Sequence, residues 1–170
     1  MSGDGGVSAP PISRMGAIVT LERVLARTPA LAVLLPMLQV YDVGCLVHLE
    51  VVVRNATAPS GLALRLDSAF SGEESTSLHV RLRYPDGRDV ASDDDRHCAP
   101  PCLSWFPGGV RGDGVHTLYQ MPLWLFPLPP AEDFLLTVEW PWAGIGPKAV
   151  TLDGAAIAGA AARSAECWPR

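Results

Sequence analysis

Side chains along residues 134–140 alternate. Phe134, Leu136, Val138 and Trp140 fall on one face, with Leu135, Thr137 and Glu139 on the other. That two-residue period predicts a strand with one buried face, and prolines at 127, 129, 130 and 141 bracket it without entering it. Residues 78–84 repeat the pattern, with Leu78, Val80, Leu82 and Tyr84 inward and His79, Arg81 and Arg83 outward. Pro85-Asp86-Gly87 then supplies a turn into a short return strand. Residues 43–54 form a third strand, with Val47, Leu49, Val51 and Val53 inward. Its other face, Leu46, His48, Glu50, Val52 and Arg54, is mostly polar. Along residues 115–125, Val115, Thr117, Tyr119, Met121, Leu123 and Leu125 share a face, and Pro122 predicts an edge or bulged strand.

Other stretches are less regular. Residues 19–27 change period midway, so a short helix competes with a strand. Residues 30–35 are continuously apolar and fit a strand covered on both faces. Leu62, Leu64 and Leu66 alternate with Ala63, Arg65 and Asp67, predicting a short strand, and residues 149–152 predict another. Residues 91–114, rich in proline and glycine, read as one long loop, a length that in compact domains signals function or disorder. Residues 153–166 predict a helix: Asp153 is a suitable N-cap, alanines dominate, and Arg163 sits where the helix dipole favours a cation. Trp168 is expected to clamp the chain end onto the core. Residues 1–14, a Gly/Ser/Pro tail, are expected to be disordered. About seven to eight turn-linked strands without a strand–helix rhythm predict an all-β chain. The expected architecture is one antiparallel β-sandwich domain over residues 15–170 with a single C-terminal helix.

Composition sharpens the picture. Adding the 16 glycines and removing the 3 tyrosines raises the 48% hydrophobic share to about 55%, above the usual 45–50%. Charged residues make up only 18%, so an apolar surface patch for a partner or a self-contact is expected. A net charge of −5 and no basic run argue against nucleic-acid binding. The N-terminal residues lack the basic and apolar regions of a secretory signal. Residues 30–38 are too short for a membrane span and contain Pro36. The expectation is a soluble cytoplasmic protein, no membrane association, and four cysteines that are reduced by default.

Candidate chemistry is sparse. His97, Cys98 and Cys102 are metal-competent ligands, but their spacing matches no zinc knuckle and no second pair follows. The competing reading is a solvated acidic loop with two incidental thiols able to pair on oxidation. The aspartates at 93, 94 and 95 lack the glycine and distal glutamate of a calcium loop. Arg111-Gly112-Asp113 reads as a glycine turn rather than an adhesion motif. No nucleophile elbow, phosphate loop, dinucleotide fingerprint or metalloprotease helix is present, so neither catalysis nor a cofactor is expected.

The segment from Trp124-x-x-Pro-Leu-Pro-Pro through Glu139-Trp140-Pro141-x-Ala-Gly-Ile145, with Leu152-Asp153-Gly154-x-x-Ile157, Ala160-Ala161-Ala162-Arg163 and the terminal Trp168-Pro169, resembles a group of uncharacterised actinobacterial β-sandwich proteins. The resemblance implies a bacterial cytoplasmic setting and brings no activity. The expected function is therefore a non-enzymatic protein-interaction or structural module, with Trp105, Phe106 and Trp142 as candidate anchors. The alternative is a small-ligand or metal-binding protein with its site in the 91–114 loop.

Overall fold

A computed structural model of the chain describes residues 9–62, 66, 77–92 and 100–168. The strands run β1 (Arg14–Met15), β2 (Ala17–Arg27), β3 (Leu31–Val40), β4 (Cys45–Arg54), β5 (His79–Arg83) and β6 (Asp89–Ala91). They continue with β7 (Cys102–Trp105), β8 (Val110–Gly112), β9 (His116–Phe126), β10 (Phe134–Trp140) and β11 (Ile145–Leu152), followed by the helix α1 (Gly154–Arg163) and β12 (Ala165–Glu166). The larger sheet has the order β2-β3-β4-β9-β7, with β8 also on β9; the smaller has the order β11-β10-β5-β6. All pairings are antiparallel, so the fold is all-β and sandwich-like with one helix near the C-terminus.

The inward faces read from the sequence meet in one core. Phe134, Leu136, Val138 and Trp140 on β10, Val80 and Leu82 on β5, and Val47, Leu49, Val51 and Val53 on β4 are all buried in it. Each large apolar side chain so placed contributes about 1.5–3 kcal/mol relative to exposure. The α1 helix packs along β2 and β3 and adds Ile157, Ala160 and Ala161 to this core. Asp153 caps it, accepting a 2.9 Å hydrogen bond from the Ala156 N–H.

Several expectations change. The ambiguous 19–27 segment is strand, and β2 carries the irregularity that disturbed its period: its register to β3 shifts between Thr20 and Arg23, where Glu22 adopts φ 53°. Opposite, Pro36 occupies the matching shift in β3 between Leu34 and Met37. Leu62 and Leu66 have helical backbone, not strand, and both are buried in the main core. Their four-residue spacing suits one helix face as well as a strand face, and tertiary contact decides. The stretch read as one loop contains β7 and β8. The helix stops at Arg163 because the chain then enters β12.

Of the expected tail, residues 1–8 lie outside the described part, and Arg14 is in β1, paired with Glu166 of β12. Its guanidinium reaches Glu166 at 2.8 Å, the Ser164 carbonyl at 3.0 Å and Asp42 at 3.3 Å, which ties both chain ends to the β3–β4 turn. This strand pairing, rather than aromatic burial, holds the chain end: Trp168 is 71% exposed, contrary to the expected clamp.

Pro122 lies in a central strand, not at an edge. Its carbonyl accepts from the Phe106 N–H, so its missing N–H points to the same side, away from β4. There the neighbouring strand is interrupted: β7 ends at Trp105 and β8 begins at Val110. Gly108 fills the gap so closely that a Cβ would sit 1.9 Å from the Gln120 carbonyl oxygen. Gly108→Ala is therefore expected to cost about 2 kcal/mol, a melting-temperature drop of about 4–8 °C in thermal denaturation; an unchanged midpoint would contradict this close approach.

Candidate functional site: the outer face of the larger sheet

In a one-layer-buried sheet the outer face is polar. Here cross-strand registers build four rows of a different composition. Arg27, Ala32, Val52, Leu118 and Arg111 form the first, and Val24, Leu34, Glu50 and Gln120 the second. Thr20, Met37, His48 and Pro122 follow, then Ile18, Gln39, Leu46, Trp124 and Ser104. Ala32, Leu34, Met37, Val52 and Leu118 are each half-buried by their neighbours and still reach solvent, and Ile18 and Val24 are each 45% exposed. The apolar run at 30–35, expected to be covered on both faces, is covered on one. Val33 and Leu35 enter the core, while Ala32 and Leu34 do not.

One end of this face has its own cover. Trp124, buried although it points away from the main core, packs with Tyr41 and Leu46, and Val43, Phe106 and Phe126 close over them. Tyr41 meets the Trp124 ring edge-on at 5.9 Å. At the opposite end stand three cations, Arg27, Arg54 and Arg111, all exposed. Between the ends, Thr20, His48, Glu50 and Gln120 alternate with the apolar side chains. The His48 ring nitrogen Nε2 bonds Gln39 Oε1 at 3.2 Å, so this pair satisfies itself within the face. Burial depresses the His48 pKa below its usual 6.5, against the upward pull of Glu50.

The candidate anchors sit close to this face without forming it. Phe106 belongs to the aromatic cover over Trp124; Trp105, one residue earlier, turns the other way and packs on the main core. Trp142 is also half-buried on the main core, its ring 5.8 Å from that of Trp140. The three are thus not brought together. Of the metal candidates, His97 and Cys98 lie outside the described residues. Cys102 is disulfide-bonded, contrary to the expected reduced state, so its sulfur is not a thiolate donor. Among the described residues no three His, Cys, Asp or Glu side chains gather as a metal site. Asp113 of the Arg-Gly-Asp triplet shapes its own turn, its Oδ1 accepting from the Val115 and His116 N–H groups, which also lowers its pKa.

On the smaller sheet, an open hollow of about 590 Å³ is lined by Arg83, Tyr84, Asp133 and Phe134 among others. Arg83 is already paired with Asp89 at 2.9 Å, and Asp133 accepts from the Gly154 N–H, so the lining leaves no convergent catalytic set. Among the described residues no helix is long and apolar enough to cross a membrane. Comparison with known proteins finds no family model, curated protein or solved structure that matches the chain.

Sequence reasoning missed the face while holding its signals. The 30–35 run is apolar at every position, and Leu46 and Val52 break the polar side of the 43–54 pattern. Two tests follow from the local chemistry. The folded state binds the His48 proton less tightly than the unfolded chain, so stability is complete above pH 6.5 and falls as pH drops below it. His48→Gln is expected to shrink the difference in melting temperature between pH 7 and pH 5; an undiminished difference would assign it to other groups. Burial also pushes the Cys45 thiol up to about 12 from 9.0, whereas Cys167 is exposed. Iodoacetamide at pH 8 should then label Cys167 in the native protein and Cys45 only after unfolding, as peptide mapping would read.

Proposed function

We propose that this chain is a non-enzymatic protein-interaction or structural module of a bacterial cytoplasmic assembly, docking through the outer face of its larger sheet. The observation that carries the reading is the pair of rows Arg27–Ala32–Val52–Leu118 and Val24–Leu34–Glu50–Gln120, in which apolar side chains remain open to water across four adjacent strands. A face of that breadth is what a partner covers in an assembled sandwich, where two inner faces interdigitate. Low overall charge supports it, and the His48–Gln39 pair is bonded within the face, which leaves Thr20, Glu50, Gln120 and Ser104 as the polar side chains a partner has to meet. The bacterial setting rests on the sequence resemblance alone. Phe106 serves the face indirectly by shaping its aromatic end.

The test is affinity capture of tagged protein from the native cells, with the double substitution Leu34→Glu, Val52→Glu beside wild type. Wild type is expected to retain a stoichiometric protein, a second copy of itself included. The variant, with unchanged circular dichroism, is expected to lose it. Equal retention by both, or a wild-type protein that stays monomeric and retains nothing, would end this reading.

A further inference from the structure

We infer that the occupant of this face is a second copy of the same chain, packed sheet against sheet about a two-fold axis that runs across the strands; the inference rests on the interaction reading above. Size is the first argument. Five strand positions at about 4.8 Å and nine residues at about 3.3 Å give a face of roughly 24 by 30 Å, or roughly 700 Å² per copy. Doubled, that reaches the roughly 1,200–2,000 Å² of a stable specific interface.

Shape is the second. Extended peptides add to sheet edges and single helices lie in grooves, whereas a broad face made of four long strands is matched by another sheet with the same twist. Identical copies carry the same twist, so they stack with strands inclined by about 30°. An isologous contact of this kind needs one self-complementary patch, and closes after two subunits.

Charge selects the orientation. Arg27, Arg54 and Arg111 lie at one end of the face, and Tyr41, Phe106 and Phe126 at the other, beside the half-exposed carboxylate of Asp42. An axis parallel to the strands would stack the arginines of one copy on those of the next. With the axis across them, each cationic end meets the aromatic end of the other copy and its Arg14–Asp42–Glu166 cluster, where two carboxylates share one guanidinium, an arrangement favoured by Coulomb attraction and cation–π contact. Near that axis, at the middle of β4, stand His48 and Glu50.

Sedimentation equilibrium of the purified full chain tests the inference. Wild type is expected to dimerise, and Leu34→Glu, with unchanged circular dichroism, to raise the dimer dissociation constant at least about 30-fold. Spin labels at His116→Cys, which lies opposite Arg54 at the same end of the face, on the free-thiol background Cys167→Ser, should lie roughly 30 Å apart across the dimer in the crossed orientation and far closer in the parallel one. A wild type monomeric at 200 µM, a dimer indifferent to Leu34→Glu, or closely spaced labels would each overturn the inference as stated; 200 µM lies about two hundred-fold above a micromolar dissociation constant, where such a dimer is almost fully formed. The interaction reading survives the first result if affinity capture still returns a different protein that the face substitutions release, and falls with it if nothing is captured.

Discussion

Pairing of β4 with β9 is the contact on which the rest of the chain is hung. It runs through ten consecutive residue pairs, from Cys45 opposite Leu125 to Arg54 opposite His116, with no register shift. Because side chains alternate, this one register decides two surfaces at once. Val47, Leu49 and Val51 meet Leu123, Met121 and Tyr119 on the inner face, while Leu46, Val52, Leu118 and Trp124 are committed to the outer one. A slip by one residue would exchange the two. Pro122 is compatible with so long a ladder because its absent N–H faces the break between β7 and β8, where Gly108 brings the backbone close. The strand that looks most compromised in sequence is thus a central one.

That register also explains why an apolar composition produces a face and not a cavity. With β3 beside β4, bulged at Pro36, the continuous apolar run must present alternate residues to each side. Only the inner half finds the smaller sheet. The helix does not relieve the other half, because Ile157, Ala160 and Ala161 point into the main core. The cover that the outer face does receive is local, with Tyr41, Phe106 and Phe126 over Trp124 at one end. Hydrophobic area remains in water across the middle, bounded by arginines at the far end. The interaction module and its self-pairing, both proposals, are two levels of one account of that imbalance.

The chain termini obey a different logic. Arg14 joins Glu166, the Ser164 carbonyl and Asp42, so the ends are held by a two-pair ladder and charge-assisted bonds on the surface rather than by buried aromatics. Trp168 is left outward as a result.

What the residues determined unaided was the set of strands with a strict two-residue period. The inner faces of 47–53, 78–84 and 134–140, the Pro85–Gly87 turn and the Asp153 cap could all be read from spacing, because each is decided by neighbours within a few positions. The candidate site was legible only as a surplus of apolar residues. Its location was not, because a row such as Val24–Leu34–Glu50–Gln120 assembles residues nearly a hundred positions apart through three separate registers. Packing into the core likewise settled that Leu62 and Leu66 are helical, and pairing that Pro122 is central and that Trp124 faces away from the main core. Period is a local property of the chain; which strand lies beside which, and therefore which apolar face is left without cover, is decided by the balance of all contacts at once.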